Sequence, residues 1–457
     1  MSEKTDKVSV TNKAAGKISF GEGVGFGLGN FGAMFVWNTM TLFMVYFLTD
    51  VAGVAAGIAG AIIFSVRFFD AFIDPLVGFI SDRTHTRWGQ KRPFILIAAI
   101  PLAIFFALCF VVPDLSPSGT YFYYVLVLLL MWVAYSFYNI PYNAILPTMT
   151  QDGAERSRVS GFYNIFTFIG IIITAVVTKP LVAAFPTERI GWQWLGIVFG
   201  AIIVVCLVVT FLTVRERYST GQSTQYKGKE IARLLFANKP FILLTAAALC
   251  IFIAFTLMGA MLNYIFKYGL QNEGLMSVSL GIVFVVALIF VPVWVFIFTK
   301  IGKKAGYMLG LGLYALSLCS IYFIQTPDLA VLVPIFIVAG IGNSSFQVGL
   351  WALLPDTVEY AQWKLGARTE GIQYGFYLFI GKLGSSVAAL MAGGGLALGG
   401  YVANAIQTDT SLLGIRILGS FIPAAFIVIA MIILSFYPIT EKMHKKIVEE
   451  LSQKSAA

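Results

Sequence analysis

Hydrophobic stretches alternate with short polar segments along most of the chain. Each stretch has about 20 residues, which is long enough to cross a lipid bilayer as an α-helix. Reading these stretches between charged breaks predicts twelve spanning helices, at 24–49, 56–80, 93–112, 121–146, 158–184, 190–213, 240–267, 274–299, 305–325, 329–353, 370–399 and 412–437. The predicted fold class is therefore an all-α membrane protein.

A basic, polar segment at 214–239 interrupts this series after the sixth predicted helix. The parts of the chain before and after this segment share a weak repeat. Leu146-Pro147 in the first part and Leu354-Pro355 in the second are each followed by an acidic residue, an arginine and a glycine. Internal repeats are common in secondary transporters. The expected organisation is a six-helix half over 1–213, a cytoplasmic middle loop over 214–239, a second six-helix half over 240–437, and a cytoplasmic tail with a short amphipathic helix over 438–457.

Composition excludes a water-soluble protein. Of the 457 residues, 58% are hydrophobic and 12% are charged, whereas soluble proteins carry roughly 25% charged residues. The four cysteines lie far apart in hydrophobic stretches, so we expect structural thiols and no metal or redox centre. No Ser-His-Asp set or other catalytic motif occurs. We therefore expect neither an enzyme nor a resident cofactor.

The distribution of basic residues predicts the orientation in the membrane. Of the 31 lysines and arginines, 25 lie in the N-terminal segment, in alternate loops and in the tail. Basic residues concentrate on the cytoplasmic side of membrane proteins. Both termini are therefore expected in the cytoplasm, with the chain in the cell (inner) membrane. The same bias explains the net charge of +9 without a nucleic-acid partner.

The second predicted helix carries three ionisable residues at bilayer depth, Arg67, Asp70 and Asp74. Such side chains need a partner or a polar cavity inside a membrane. Their spacing puts all three on one helix face. Two carboxylates one turn apart can hold a monovalent cation or share a proton. The alternative is a structural Arg–Asp pair that only tightens the helix bundle.

Two other predicted helices offer partners for these carboxylates. Ser136 and Asn139 in the fourth helix supply neutral oxygen atoms that suit a cation site. Lys382 in the eleventh helix is a buried cation in need of an anion, and the carboxylates of Asp70 and Asp74 are its candidate partners. We expect no metal beyond Na⁺.

Aromatic and amide side chains share faces on several predicted helices. Aromatic rings stack on the apolar face of a sugar, and amides bond its hydroxyls. The alternative is ordinary polar contact between helices. The candidate substrate-binding residues are Asn30, Met34, Trp37, Asn38, Tyr135, Asn139, Asn143, Tyr163, Asn263, Gln347, Trp351, Gln373, Tyr374 and Tyr377.

Several segments resemble one transporter family. GFISDRTHTRWGQKRP at 78–93 resembles a loop motif of the major facilitator superfamily. FGLGNFG in the first helix, RFFDAFIDP in the second, YNIPYNAILP in the fourth and PDTVEYAQWKLGARTEG after the tenth resemble the glycoside–pentoside–hexuronide:cation symporters. This is the family of the bacterial melibiose permease. The resemblance extends over most of the chain and implies two six-helix halves and a monomer.

The resemblance also implies roles for individual residues. Asp70, Asp74 and Ser136 match the family's cation site, and Lys382 matches a lysine near it. Met34, Asn139 and Asn143 replace two aspartates and a tryptophan that bind sugar in the melibiose permease. A glycoside, pentoside or uronide other than a galactoside is therefore expected. With one carboxylate fewer, H⁺ becomes an alternative to Na⁺ as the coupling ion.

The expected function is cation-coupled symport of a sugar by alternating access. The main rival is a major-facilitator carrier of a lipid or other amphipathic solute, and a receptor or membrane-embedded enzyme is a third class. The expected cytoplasmic gate is built from charged residues around the loops, namely Asp82, Arg83, Arg87, Arg92, Asp152, Arg158, Glu359 and Arg368.

Overall fold

The computed structural model describes residues 17–84, 86–150, 152–218, 228–367 and 370–456. Within these residues, twelve helices are long and apolar enough to span a membrane. This confirms the predicted all-α membrane fold. The helices α1 to α12 are Phe20–Val51, Ala56–Arg83, Arg92–Cys109, Pro117–Met149, Gly153–Ala183, Glu188–Thr213, Lys239–Gly269, Gly274–Ile301, Lys303–Ile321, Leu329–Leu365, Glu370–Leu398 and Asp409–Ser435.

Helix α10 is longer than predicted. The prediction ended it at residue 353, before Pro355, but the helix continues through this proline to Leu365. Leu354 just before the proline, and Val358 and Ala361 after it, keep an apolar face buried, so packing maintains the helix there. The prediction of this helix end was therefore wrong, because a hydrophobic stretch read between charged breaks does not show the packing that continues the helix.

Two shorter helices lie outside the spans. The middle segment contains a helix at Gly228–Ala237, and residues 219–227 lie outside the described part. The tail contains a helix at Glu441–Ala456, called here the tail helix. Its Ile447 side chain is buried, and Trp363 of α10 donates a hydrogen bond of 2.6 Å to Glu450. The tail helix therefore packs on the second half of the bundle.

The first helix of each half ends in a wider, π-helical turn. These turns are Phe47–Val51 in α1 and Ile265–Gly269 in α7. Single π-helical turns often occur at functional positions. Both lie at what we call the distal end, formed by the loops after α1, α5, α7 and α11. The proximal end is opposite and carries residues 17–19 before α1, the loop residues 86–91 and the tail helix.

Helices of the two halves pack in pairs, α1 with α7, α2 with α11, and α5 with α8. Glycines permit the close approach of α2 and α11. A Cβ atom on Gly60 would lie 2.8 Å from the carbonyl oxygen of Ala389 and 3.1 Å from the Cα of Gly393. Both glycines lie in the distal parts of their helices, so the backbones approach closely there.

The segment after α6 folds back onto the start of α3. The Glu216 carboxylate accepts backbone N–H bonds from Gln90 at 3.0 Å, Lys91 at 2.8 Å and Arg92 at 2.8 Å. The N–H groups at a helix start lack partners within the helix. Their dipoles also favour a nearby negative charge. Glu216 therefore caps α3 from a distant part of the chain.

Replacing Glu216 with alanine is expected to lower the free energy of unfolding by about 1–2 kcal/mol, because three N–H groups at the start of α3 lose their acceptor. Thermal unfolding of the purified protein in detergent measures this change. Glu449→Ala in an exposed part of the tail helix is the matched control. Equal melting temperatures for both variants would contradict the capping role.

Candidate functional site

Charged residues from the two halves meet between α2 and α11. Lys382 Nζ lies 2.7 Å from Asp70 Oδ2 and 2.6 Å from Asp74 Oδ2. The Asp70 side chain is fully buried, whereas 19% of the Asp74 side chain is exposed. A buried ammonium is tolerated when carboxylates surround it. One lysine thus bridges both carboxylates.

Ser136 of α4 joins the same group. Its Oγ lies 3.0 Å from Asp70 Oδ1 and 2.7 Å from Asp74 Oδ1. A hydroxyl has one proton, so it donates to one carboxylate at a time. Asn139 lies one turn further along α4, and its Oδ1 accepts a bond of 3.1 Å from Asn143. The structure therefore places Ser136 against the carboxylates and turns the Asn139 side chain towards Asn143.

Arg67 lies one turn before Asp70 and is positioned over the faces of two indole rings. Its guanidinium carbon is 3.5 Å from the ring centre of Trp132 and 4.6 Å from that of Trp37. Cations are attracted to the faces of aromatic rings. Only 4% of Arg67 is exposed, and its Nη1 has no hydrogen-bond partner among the described residues. We call Arg67, Asp70, Asp74, Ser136 and Lys382 the central cluster.

Some candidate substrate-binding residues are accessible. Asn143 of α4 is exposed, and Trp351 of α10 is 49% exposed. The Trp351 ring lies 6.1 Å from that of Tyr374 and 6.0 Å from that of Tyr377, both on α11. Exposed aromatic and amide side chains therefore occur on both halves. The half-buried candidates are Met34, Trp37, Asn139, Tyr163, Gln347 and Tyr374.

Two asparagines of α1 are committed to contacts with α5. Asn30 donates to the Thr167 hydroxyl. Asn38 donates to Thr174 Oγ1 at 2.6 Å and to the Ile171 carbonyl at 3.2 Å. Both side chains are buried. They hold two helices together, which is the alternative that the sequence left open.

Other buried candidates also bond between helices. Asn263 of α7 donates to the Leu42 carbonyl at 2.6 Å. Gln373 of α11 accepts a bond of 2.8 Å from Thr357 of α10. Tyr135 and Tyr377 are also buried among aromatic rings. These residues shape the interior but do not line open space in this conformation.

The candidate gate residues contact several partners near the proximal end. Arg83 and Arg87 lie over the rings of Phe79 and Trp88. Arg92 donates to the Phe211 carbonyl at 2.6 Å. Arg368 lies outside the described residues. Asp82 pairs with Lys91, and Arg158 pairs with Glu155. Glu359 contacts His444. Asp152 accepts N–H bonds at the start of α5. Lys91, Glu155 and the start of α5 lie in the first half, like the residues that they contact, whereas His444 lies in the tail helix.

A second charged group, not predicted from the sequence, joins the halves at the distal end. Asp50 in the π-helical turn of α1 is buried and lies 3.0 Å from Lys267 Nζ in the matching turn of α7. Asp50 also accepts from the Tyr268 hydroxyl and from the Tyr401 hydroxyl at 2.6 Å. Asn404 donates to the Asp50 carbonyl at 2.7 Å. We call these five residues the distal clamp.

Burial and the negative charge of Asp50 raise the pKa of the Tyr401 hydroxyl well above its usual value. Tyr401 therefore stays protonated and remains a hydrogen-bond donor to Asp50 at physiological pH. Lys179 of α5 adds a further link at the same end, with its Nζ 2.7 Å from Glu273 at the start of α8. The distal ends of the halves are thus held by buried polar contacts.

Comparison with known proteins gives a consistent family. A family model described as MFS/sugar transport protein matches residues 25–441. The uncharacterized symporter YjmB of Bacillus subtilis (strain 168) is 32% identical, over 96% of each chain. The glucuronide carrier protein homolog of Escherichia coli (strain K12) is 31% identical, over 94% of this chain and 95% of its own.

Two further comparisons extend this result. The isoprimeverose transporter of Lactiplantibacillus pentosus is 30% identical, over 100% of this chain and 95% of its own. The crystal structure of the nucleoside transporter NupG superimposes with a TM-score of 0.63 at 16% sequence identity, covering 92% of this chain and 99% of that one. At that identity the superposition shows a common fold alone.

Proposed function

The chain belongs to the glycoside–pentoside–hexuronide:cation symporter family of the major facilitator superfamily, and we propose that it moves a sugar or glycoside together with H⁺ or Na⁺ across the cell membrane. It is a multi-pass membrane protein and a sugar transporter, not an enzyme. The identity of the cation, the identity of the sugar and the location in the cell membrane are the parts of this function that we propose.

The central cluster carries the proposal of cation coupling. Two carboxylates and a hydroxyl converge from α2 and α4, and Lys382 fills the space between the carboxylates. A monovalent cation would bind Asp70, Asp74 and Ser136, with Asn139 able to turn towards them. Because Lys382 belongs to the second half, an incoming cation changes a contact between the two halves. Cation binding is thereby linked to their relative movement.

The positions of the distal clamp and of the exposed side chains Asn143 and Trp351 support alternating access. The distal clamp holds the halves together at one end, while Asn143 and Trp351 remain exposed on helix segments nearer the other. The basic loops at the proximal end support a cytoplasmic position for that end and for both termini. The structure then corresponds to a carrier closed towards the outside. We propose that the distal clamp opens when the carrier faces outward.

Aromatic and amide side chains of both halves offer the kinds of contact that a sugar needs. Trp351 and Tyr374 offer ring faces from the second half, and Asn139 and Asn143 offer amides from the first. The relatives named above differ in their printed substrates, glucuronide and isoprimeverose. Similarity to relatives therefore supports a sugar substrate without choosing among these classes.

Uptake by the purified protein in liposomes tests this function. Mono- and disaccharides are offered with an inward Na⁺ gradient, an inward H⁺ gradient or neither. We expect at least one sugar to accumulate above its outside concentration only with one of the gradients, and an ionophore that dissipates the gradient to abolish accumulation. Simple equilibration under all three conditions would refute coupling, and no uptake of any sugar would refute the proposed substrate class.

A further inference from the structure

A proline interrupts the hydrogen bonding of α10 next to a candidate substrate-binding residue. Pro355 lies inside the helix and has no N–H group, so it cannot bond the carbonyl of Trp351, four residues earlier. Helices bend most readily where such a bond is missing. We call the segment from Pro355 to Leu365 the proximal arm. Its direction relative to Trp351 depends on what the proximal arm contacts.

A buried carboxylate fixes the proximal arm to α9 and to the tail helix. Asp356 is 4% exposed, and its Oδ1 lies 2.7 Å from Lys303 Nζ at the start of α9. The same Oδ1 lies 3.3 Å from His444 Nε2 in the tail helix. A buried carboxylate is stable only when it has partners of this kind. Asp356 therefore joins three helices directly after the proline.

His444 contacts a second carboxylate of the proximal arm. Its Nε2 lies 2.6 Å from Glu359 Oε2, about one turn beyond Asp356. Carboxylate oxygens accept hydrogen bonds, so Nε2 is the donor in these contacts. Further along the proximal arm, Trp363 donates to Glu450 of the tail helix at 2.6 Å. The tail helix is thus attached near both ends of the proximal arm.

The tail helix also approaches the aromatic partner of Trp351. A groove of about 280 Å³ lies between the tail helix, the proximal arm and α11. Its lining includes Val448 and Leu451 of the tail helix and Tyr374 of α11. The Tyr374 ring lies 6.1 Å from the Trp351 ring. The tail helix therefore borders both segments that carry this aromatic pair.

We propose that His444 is a positioning residue for the substrate site. By holding the proximal arm against α9 and the tail helix, it fixes the course of α10 at the proline and keeps Trp351 and Tyr374 in the arrangement that binds the sugar. This inference rests on the sugar transport proposed above, in which Trp351 and Tyr374 contact the substrate. The tail helix, which is not one of the twelve spans, then acts on sugar affinity without touching the sugar.

Two substitutions of His444 test this role by sugar uptake into proteoliposomes. His444→Leu removes the donor, whereas His444→Gln keeps an N–H donor near the position of Nε2. We expect His444→Leu to raise the KM for the transported sugar about fivefold, the effect of one net hydrogen bond. The maximal rate should stay within about twofold of the wild type, because sugar binding is the step that is weakened.

The conservative variant and a neighbouring position are the controls. His444→Gln should restore a KM near that of the wild type. Lys445→Leu changes an exposed residue beside it and should leave the KM unchanged. A wild-type KM in His444→Leu would overturn the positioning role. An equal rise of the KM in His444→Gln or in Lys445→Leu would overturn it as well.

Hydrogen exchange of the wild-type protein covers the case in which His444→Leu does not fold. If the docked tail helix favours sugar binding, bound sugar stabilises the docked tail helix by the same factor. We expect saturating sugar to slow amide exchange in the tail helix about fivefold and to leave the start of α3 unchanged. Unchanged exchange in the tail helix despite sugar binding would overturn this inference and leave sugar transport intact. A protein that binds no sugar would refute the proposed function and this inference with it.

Discussion

Replacement of Asp74 with asparagine is expected to abolish accumulation of sugar against its concentration gradient. The variant keeps the shape of the side chain but removes one of the two carboxylates that lie within 3 Å of Lys382. Lys382 retains Asp70, and the cluster then carries an excess positive charge that disfavours any further cation. Coupling between two ligands typically changes each affinity by roughly 5–150-fold. We expect this factor to fall to about one in the variant.

Uptake in proteoliposomes with an imposed cation gradient measures the effect. Asp114→Asn is the matched control, because its carboxylate is 90% exposed and pairs with Arg189 at the surface. Exposed ion pairs contribute little to stability. The control should accumulate sugar like the wild type, whereas Asp74→Asn should reach only the outside concentration. Accumulation by Asp74→Asn at the wild-type level would assign coupling to another site.

Replacement of Asp50 with asparagine is expected to open the distal end. Asp50 is fully buried and gathers Lys267, Tyr268 and Tyr401 around one carboxylate. Removing one partner of a buried ion pair costs about 3–5 kcal/mol. The cost applies only while the distal end is closed, because opening exposes Lys267 to water. The ratio of open to closed carrier should therefore rise by about two orders of magnitude or more.

Distances between spin labels measure this shift. Labels on Ala55→Cys and Val402→Cys, with the four native cysteines replaced, report the separation of the halves at the distal end. Both positions are exposed. Asp50→Asn should populate a longer distance that is minor in the otherwise identical parent. Asp409→Asn, an exposed aspartate at the start of α12, should leave the distribution unchanged. An unaltered distribution in Asp50→Asn would show that the distal clamp does not hold the closed state.

The fold was predictable because its main determinant is local. A stretch of apolar residues of sufficient length predicts a spanning helix without knowledge of its neighbours. The three ionisable residues of α2 could be placed on one face from their spacing alone. Lys382 was the candidate partner because a cation at bilayer depth needs an anion, and in the structure it lies 2.7 Å from Asp70.

Other features depend on packing between distant segments. The sequence pattern did not predict that Asn30 and Asn38 contact α5. A row of polar residues on one helix face is the same in the sequence whether that face packs on another helix or lines a cavity. Asp50 and Lys267 looked like ordinary charges at helix ends. Their pairing requires the two π-helical turns to meet across the halves. The sequence did contain one signal for this pairing. Asp50 and Lys267 carry opposite charges and lie at equivalent ends of the first helix in each half.

Coupling through the central cluster is tested most directly by the cation dependence of sugar binding to the wild-type protein. The sugar that accumulates in proteoliposomes is titrated at rising Na⁺ concentration and, separately, at falling pH. Binding through a shared cluster predicts that the apparent Kd for the sugar falls as one of these cations rises, and that the sugar tightens binding of that cation by the same factor. A sugar Kd that stays constant at every Na⁺ concentration and pH would contradict coupling at Asp70, Asp74 and Lys382.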